Sequence, residues 1–211
     1  GIPEIDDVST VARIRGTIGP KIDMRIDANE AWSCENLAAK LRPLEPFGIS
    51  AIEQPVPHGE ADGLAKVRKQ ISVPIMLDES LCSEPDARRA IELGTCDLFN
   101  IRISKCGGFL NSLRLAAIAH QAGLGYQLGC QVGETGILSA AGRHFAASVD
   151  GIRYLEGSYE KFLVRERLTV EDLTFGRAGF APALTEPGLG VTIDEEALRR
   201  VTIAKETFQI R

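Results

Sequence analysis

The sequence predicts an α/β fold, a TIM-type (β/α) barrel, on three observations. Short apolar runs alternate with amphipathic helical stretches from residue 6 to about residue 160. The runs are apolar on both faces, as parallel strands covered by helices must be. Their ends recur every 25 or so residues, at Asp27, Glu53, Asp78, Arg102, about Gln127–Cys130 and Glu156, the length of one strand–loop–helix–loop unit. Six such units are visible where a closed (β/α)8 barrel has eight. The barrel is therefore expected to be incomplete at its amino-terminal side.

The first helix is expected over Asp6–Ile18, with Val8, Val11, Ile14 and Ile18 on one face and Asp6 or Asp7 as its cap. A strand over Ile22–Ala28 follows. A helix over Cys34–Leu44 starts after Ser33 and ends near Pro43 and Pro46. Ile49–Glu53 reads as a strand turned by Gln54-Pro55, Glu60–Gln70 as a helix and Val73–Asp78 as a strand. Pro85–Leu93 reads as a helix closed by Gly94. Then come a strand over Leu98–Ile103, a helix over Phe109–Gln121, a strand over Tyr126–Cys130, an Ala-rich helix over Thr135–Ala147 and a last strand over Gly151–Glu156. Beyond this the texture turns to loops, with a final amphipathic helix over Asp194–Lys205. Residues 1–165 are thus expected to form the partial barrel and 166–211 an extension packed on it.

Composition narrows the function. The net charge of −5 and the lack of a basic stripe argue against nucleic acid. No apolar run approaches the roughly 20 residues of a membrane span, and Gly1-Ile2-Pro3-Glu4 does not read as a signal peptide. Five scattered cysteines without a CxxC pair read as reduced thiols in a cytoplasmic protein rather than a zinc site or disulfide framework.

Three acids carry the chemistry. Asp27, Glu53 and Asp78 end three successive apolar runs, so a parallel array places them on one rim. Converging carboxylates repel one another, and a bound divalent cation relieves the repulsion. Any one alone would read as a cap or a solvated loop acid. Asn29, in Asp27-Ala28-Asn29, is a candidate amide behind the ligands, and Trp32 is expected to pack beneath its loop. His120 and the Arg143-His144 pair, mid-helix, are expected to be structural.

These three segments, with Lys105-Cys106-Gly107-Gly108 and Gly133-Glu134-Thr135, resemble the barrel domain of the enolase superfamily, in its mandelate racemase and muconate lactonizing enzyme branch. The likeness runs from Gly1 to about Ile193. It implies an enolase C-terminal domain-like fold, with Mg²⁺ (or Mn²⁺) held by Asp27, Glu53 and Asp78. It implies abstraction of the proton alpha to the carboxylate of a small substrate, through an enediolate, by a cycloisomerase, racemase/epimerase or acid-sugar dehydratase. The superfamily uses a Lys or His base beside Mg²⁺.

Two departures stand out. The lysine that the family carries 24 residues after the third ligand is Arg102 here, and arginine does not readily lose its proton. Arg102 is therefore expected to be an electrophile or a carboxylate clamp. Lys105, three residues on, either reaches the site or is an ordinary loop lysine. Glu134 matches the family's acid after the seventh strand, which orients substrate or a proton donor, and a structural salt bridge is the other reading. Glu156 ends the last strand and is expected to face the same mouth. The second departure is that the family's Lys-x-Lys strand and amino-terminal capping domain would both precede Gly1. Without them the 211 residues are expected to be inactive, with unpaired edges near Ile22–Ile26 and Arg153–Glu156 that pair with missing strands or with another subunit, so a homo-oligomer is expected. The alternative function is a catalytically incomplete fragment or pseudoenzyme that keeps the fold and the metal acids.

Overall fold

Six strands, Met24–Asp27 (β1), Ile49–Glu53 (β2), Ile75–Leu77 (β3), Leu98–Ile101 (β4), Gly125–Leu128 (β5) and Ile152–Leu155 (β6), pair in sequence order into one parallel sheet. The structure is a computed structural model and describes residues 6–158 and 160–209. The sheet curls into a half-barrel. The Tyr154 hydroxyl donates to Ser50 Oγ at 3.1 Å, the Arg25 guanidinium donates to Gln127 Oε1, and it lies 4.2 Å from the Tyr154 ring centre. Those contacts join β6 to β2 and β1 to both β5 and β6, across the inside of the curve.

The strands alternate with Asp7–Ile18 (α1), Leu37–Leu41 (α2), Leu64–Val67 (α3), Glu84–Leu93 (α4), Phe109–Gln121 (α5) and Gly136–Ser148 (α6). Two short helices follow, Glu160–Leu163 (α7) and Glu195–Val201 (α8). Asp6 and Asp194 cap α1 and α8 by accepting the N–H groups of Val8 and of Glu196 and Ala197. Gly94 closes α4 with a φ of +67°, which a residue without Cβ adopts freely.

Period two sorts the strand residues. Ile52, Ile75, Leu77, Phe99, Ile101 and Leu128 face the helices and form the main core. On the concave side Ala51, Met76 and Leu98 form a small separate cluster with Tyr154. Two residues further along β2 and β4, and just past the end of β3, this inner row becomes Glu53, Asn100 and Asp78. Two acids and an amide that lie far apart along the chain are thus brought together above an apolar floor by strand parity.

Several elements are shorter than the sequence predicts. The helix expected over Cys34–Leu44 is helical only at α2, followed by a 3-10 turn at Glu45–Phe47, because Pro43 and Pro46 lack the N–H that would continue it. The one expected over Glu60–Gln70 is a 3-10 turn at His58–Gly63, then α3, then a 3-10 turn at Arg68–Gln70. Gly59 and Gly63 weaken that stretch, and a Cβ on Gly63 would lie 2.7 Å from Cys34 Sγ. Ile22 stays outside β1, since its carbonyl accepts from the Arg15 guanidinium at 2.7 Å instead of joining the ladder. β4 stops at Ile101 because the Arg102 carbonyl accepts the Cys106 N–H. The final helix ends at Val201, not Lys205. Among the described residues β1 and β6 each have one neighbouring strand, so the edges fall where the sequence predicts them.

The segment after α7 lies against α6. Arg143 donates to the carbonyls of Leu173 and Pro182, His144 Nε2 lies 3.1 Å from the Leu189 carbonyl, and Leu173 is buried. Gly136 opens α6 at the closest approach: a Cβ there would overlap Thr169 Oγ1 and lie 3.0 Å from Glu160 Oε2. Gly136→Ala is expected to cost about 1–3 kcal/mol by overpacking. Urea unfolding would show it, and an unchanged midpoint would mean that the segment yields freely.

Candidate active site

The three sequence-predicted metal acids stand at the carboxyl ends of consecutive strands. Asp27 and Glu53 close β1 and β2 and are register partners, and Asp78 is the first residue after β3. The loops carrying them are tied together by backbone. Ala28 and Glu30 donate to the carbonyls of Glu53 and Gln54, and Gln54 donates to that of Met76. Gln54 adds a side-chain clasp from full burial: its Oε1 accepts the N–H groups of Asp78 and Ser80, and its Nε2 donates to Val56 O and Ser80 Oγ. Its φ of +33° is a strained value for a residue with a side chain, held by those four bonds.

Each acid has a different environment. Asp27 accepts from the backbone and side chain of Asn29, the amide singled out in the sequence. Burial raises the Asp27 pKa, the Asn29 backbone bond opposes this, and the Asp78 charge adds to the rise. Glu53 is buried and accepts from Asn100 Nδ2 at 2.5 Å. Burial, with the charges of Asp27, Glu156 and Asp78, pushes its pKa up to about 8. Asp78 is occupied by cations. Arg102 donates to it from Nε at 2.8 Å and from Nη2, and Lys105 Nζ lies 3.0 Å from its Oδ1.

The remaining predicted residues divide. Arg102, first residue after β4, points into the mouth, where its Nη2 also reaches Glu79 Oε1 at 2.9 Å and its Nη1 reaches Gln131 Oε1 at 3.2 Å. Lys105 is held against the Asp78 loop. Its Nζ donates to the carbonyls of Asp78, Leu81 and Asn100 at 2.5, 2.7 and 3.1 Å. Glu134 accepts the Gln131 N–H at 2.7 Å within its own loop, and burial raises its pKa. Glu156 pairs with Arg25 at 3.5 Å. A cavity of about 330 Å³ opens beside the mouth at Glu134 and Glu156, walled by Leu138, Leu155, Phe175 and Phe180.

Sequence reasoning missed the inner polar row. Asn100, Gln127 and Arg25 face the same interior, and Gln54 braces it. The available signal was parity: stepping back two residues from Asp27 and Arg102 gives Arg25 and Asn100.

Among the described residues no three His, Cys, Asp or Glu side chains are grouped, as they stand, so as to hold a metal ion. The donor chemistry nonetheless fits one. Asn100 Oδ1 is buried without a hydrogen-bond partner. In the same mouth, burial and the charges of neighbouring carboxylates, that of Asp78 among them, raise the pKa values of Asp27, Glu53 and Glu156. An all-oxygen donor set with several carboxylates is what a hard divalent cation satisfies. Asp78 is paired with Arg102 and Lys105.

A family model described as enolase C-terminal domain-like matches residues 3–197. The N-succinyl-L-Arg/Lys racemase of Bacillus cereus is 32% identical over 203 residues, covering 95% of this chain and 53% of that protein. The chloromuconate cycloisomerase of Cupriavidus pinatubonensis is 30% identical, covering 94% and 53%. Among solved structures, the dipeptide epimerase of Cytophaga hutchinsonii, complexed with Mg and D-Ala-L-Val, superposes with a TM-score of 0.86 at 31% identity, covering 92% of this chain and 52% of that one. The chain spans about half the length of the curated relatives it matches. No helix among the described residues is long and apolar enough to cross a membrane.

Proposed function

Because the chain belongs to the enolase C-terminal domain-like family, we propose that it is the barrel of a Mg²⁺-dependent enzyme that removes the proton alpha to the carboxylate of a small substrate. The observation that carries this reading is the row of strand-end carboxylates in one half-buried mouth, with a guanidinium among them. Asp27, Glu53 and Asp78 would hold the cation, with Mn²⁺ able to stand in. A divalent cation bound there supplies concentrated positive charge where negative charge develops on the substrate carboxylate.

The chain's own residues take the other parts. Arg102 is the fixed cation of the mouth, and its planar fork suits a substrate carboxylate. It is a poor base, since it stays protonated. Lys105, bound by three carbonyls and a carboxylate, positions the Asp78 loop instead of exchanging protons. The base in this reading is the Lys-x-Lys pair that the resemblance places ahead of Gly1. Gln54 and Asn100 hold Asp78 and Glu53 in place, and the cavity beside Glu134 offers room for an apolar substituent. Racemase or epimerase chemistry is favoured over dehydration by the relatives named above.

The test is α-proton exchange. The native protein is incubated in D2O with Mg²⁺ and a panel of N-acylamino acids, dipeptides and acid sugars, and loss of the α-proton signal is followed by NMR. Exchange that stops on chelation of the metal is the expected result. Metal binding without exchange on any carboxylate would favour a catalytically incomplete protein.

A further inference from the structure

Arg102 occupies one of the three acids that the proposed function assigns to the cation. Its Nε and Nη2 both donate to Asp78, a two-point contact that matches the planar guanidinium to the carboxylate. Both side chains are nearly out of solvent, at 11% and 6% exposure, so water competes little for either. The same guanidinium has a second set of partners on the solvent side of the mouth: Glu79 Oε1 at 2.9 Å from Nη2 and Gln131 Oε1 at 3.2 Å from Nη1. Neither is a metal acid. Lys105 has carbonyl partners besides the Asp78 carboxylate, those of Asp78, Leu81 and Asn100, so its ammonium stays bonded when that carboxylate turns to a cation. Arg102 is thus the group whose departure opens Asp78, and it has somewhere to go.

We propose that Arg102 is a latch on the cation site: it neutralises Asp78 until a divalent cation displaces it, and the released fork, still held by Glu79 and Gln131, then grips the carboxylate of the substrate. This rests on the metal reading above and deepens it. Cation and anionic substrate would bind with positive coupling, because each needs the same displacement of Arg102, and linkage makes the effect reciprocal. A lysine at this position would be a poorer latch, offering a point charge in place of a planar two-point fork. The exchange of lysine for arginine therefore alters the order of events at the site as well as removing a base.

The experiment measures Mn²⁺ affinity without substrate, by the electron paramagnetic resonance signal of the free ion, in the native protein and in Arg102→Gln and Arg102→Lys. Circular dichroism confirms that each is folded. Removing the latch is expected to tighten Mn²⁺ binding about tenfold or more in Arg102→Gln, and Arg102→Lys, which keeps the charge but loses the fork, should also bind more tightly than the native protein. Should the glutamine variant not fold, the lysine variant decides alone. Unchanged or weaker binding in both overturns the latch. Tightening in Arg102→Gln with native affinity in Arg102→Lys also overturns it, since net charge would then be the whole effect. If no form binds Mn²⁺ saturably, the metal reading falls and takes the latch with it; in every other case the metal reading stands independently.

Discussion

Glu53→Gln in the native protein should bind Mg²⁺ at least about 100-fold more weakly and lose turnover to match, since even residues behind metal ligands are worth 10–100-fold. Its folded stability in metal-free buffer should not fall. The glutamine oxygen can still accept from Asn100 Nδ2, as Glu53 Oε1 does at 2.5 Å. What is lost is the capacity to ionise, which burial and the charges of Asp27, Glu156 and Asp78 already disfavour by raising the Glu53 pKa to about 8. Metal titration calorimetry set against urea unfolding separates the two effects. A variant that binds the ion as the native protein does would remove Glu53 from the donor set, whereas one that fails to fold would make it a structural acid.

The other large effect is expected in Lys105→Met. The substitution strips donors from the carbonyls of Asp78, Leu81 and Asn100 and an ion-pair partner from Asp78. Removing one member of a buried charged network costs about 3–5 kcal/mol, a large fraction of the roughly 5–15 kcal/mol that holds a domain together. Urea midpoints should fall accordingly, in metal-free and metal-loaded protein alike. A normal midpoint with activity lost would return Lys105 to the list of proton-transfer groups.

The half-barrel was legible because its signals are local and repeated. β2 and α5 lie where the pattern places them, at Ile49–Glu53 and Phe109–Gln121, and the strand-end acids follow from a period that needs no tertiary information. The broken helices were less legible, because the sequence shows apolar spacing more clearly than it shows whether a stretch holding Gly59 and Gly63 prefers 3-10 geometry. The inner polar row was overlooked for another reason. Asn100 and Gln127 sit inside runs that read as apolar strand, and only the curl of the sheet reveals that their side of the strand is the floor of a mouth. The hold of Lys105 on three carbonyls depends on how the chain turns after β4, which spacing does not encode.

The strictly sequential pairing of β1 to β6 bears on how such a chain comes into being on the ribosome. Each strand finds its partner in the segment synthesised just before it, about 25 residues away, so no strand waits for a distant one and loop closure stays short throughout. A nascent chain can therefore add one strand and one helix at a time to a growing sheet, exposing a single fresh edge at each stage. The same property gives evolution a unit of duplication and loss. Whole strand–helix units can be gained or dropped at either end of the array without rethreading those already in place.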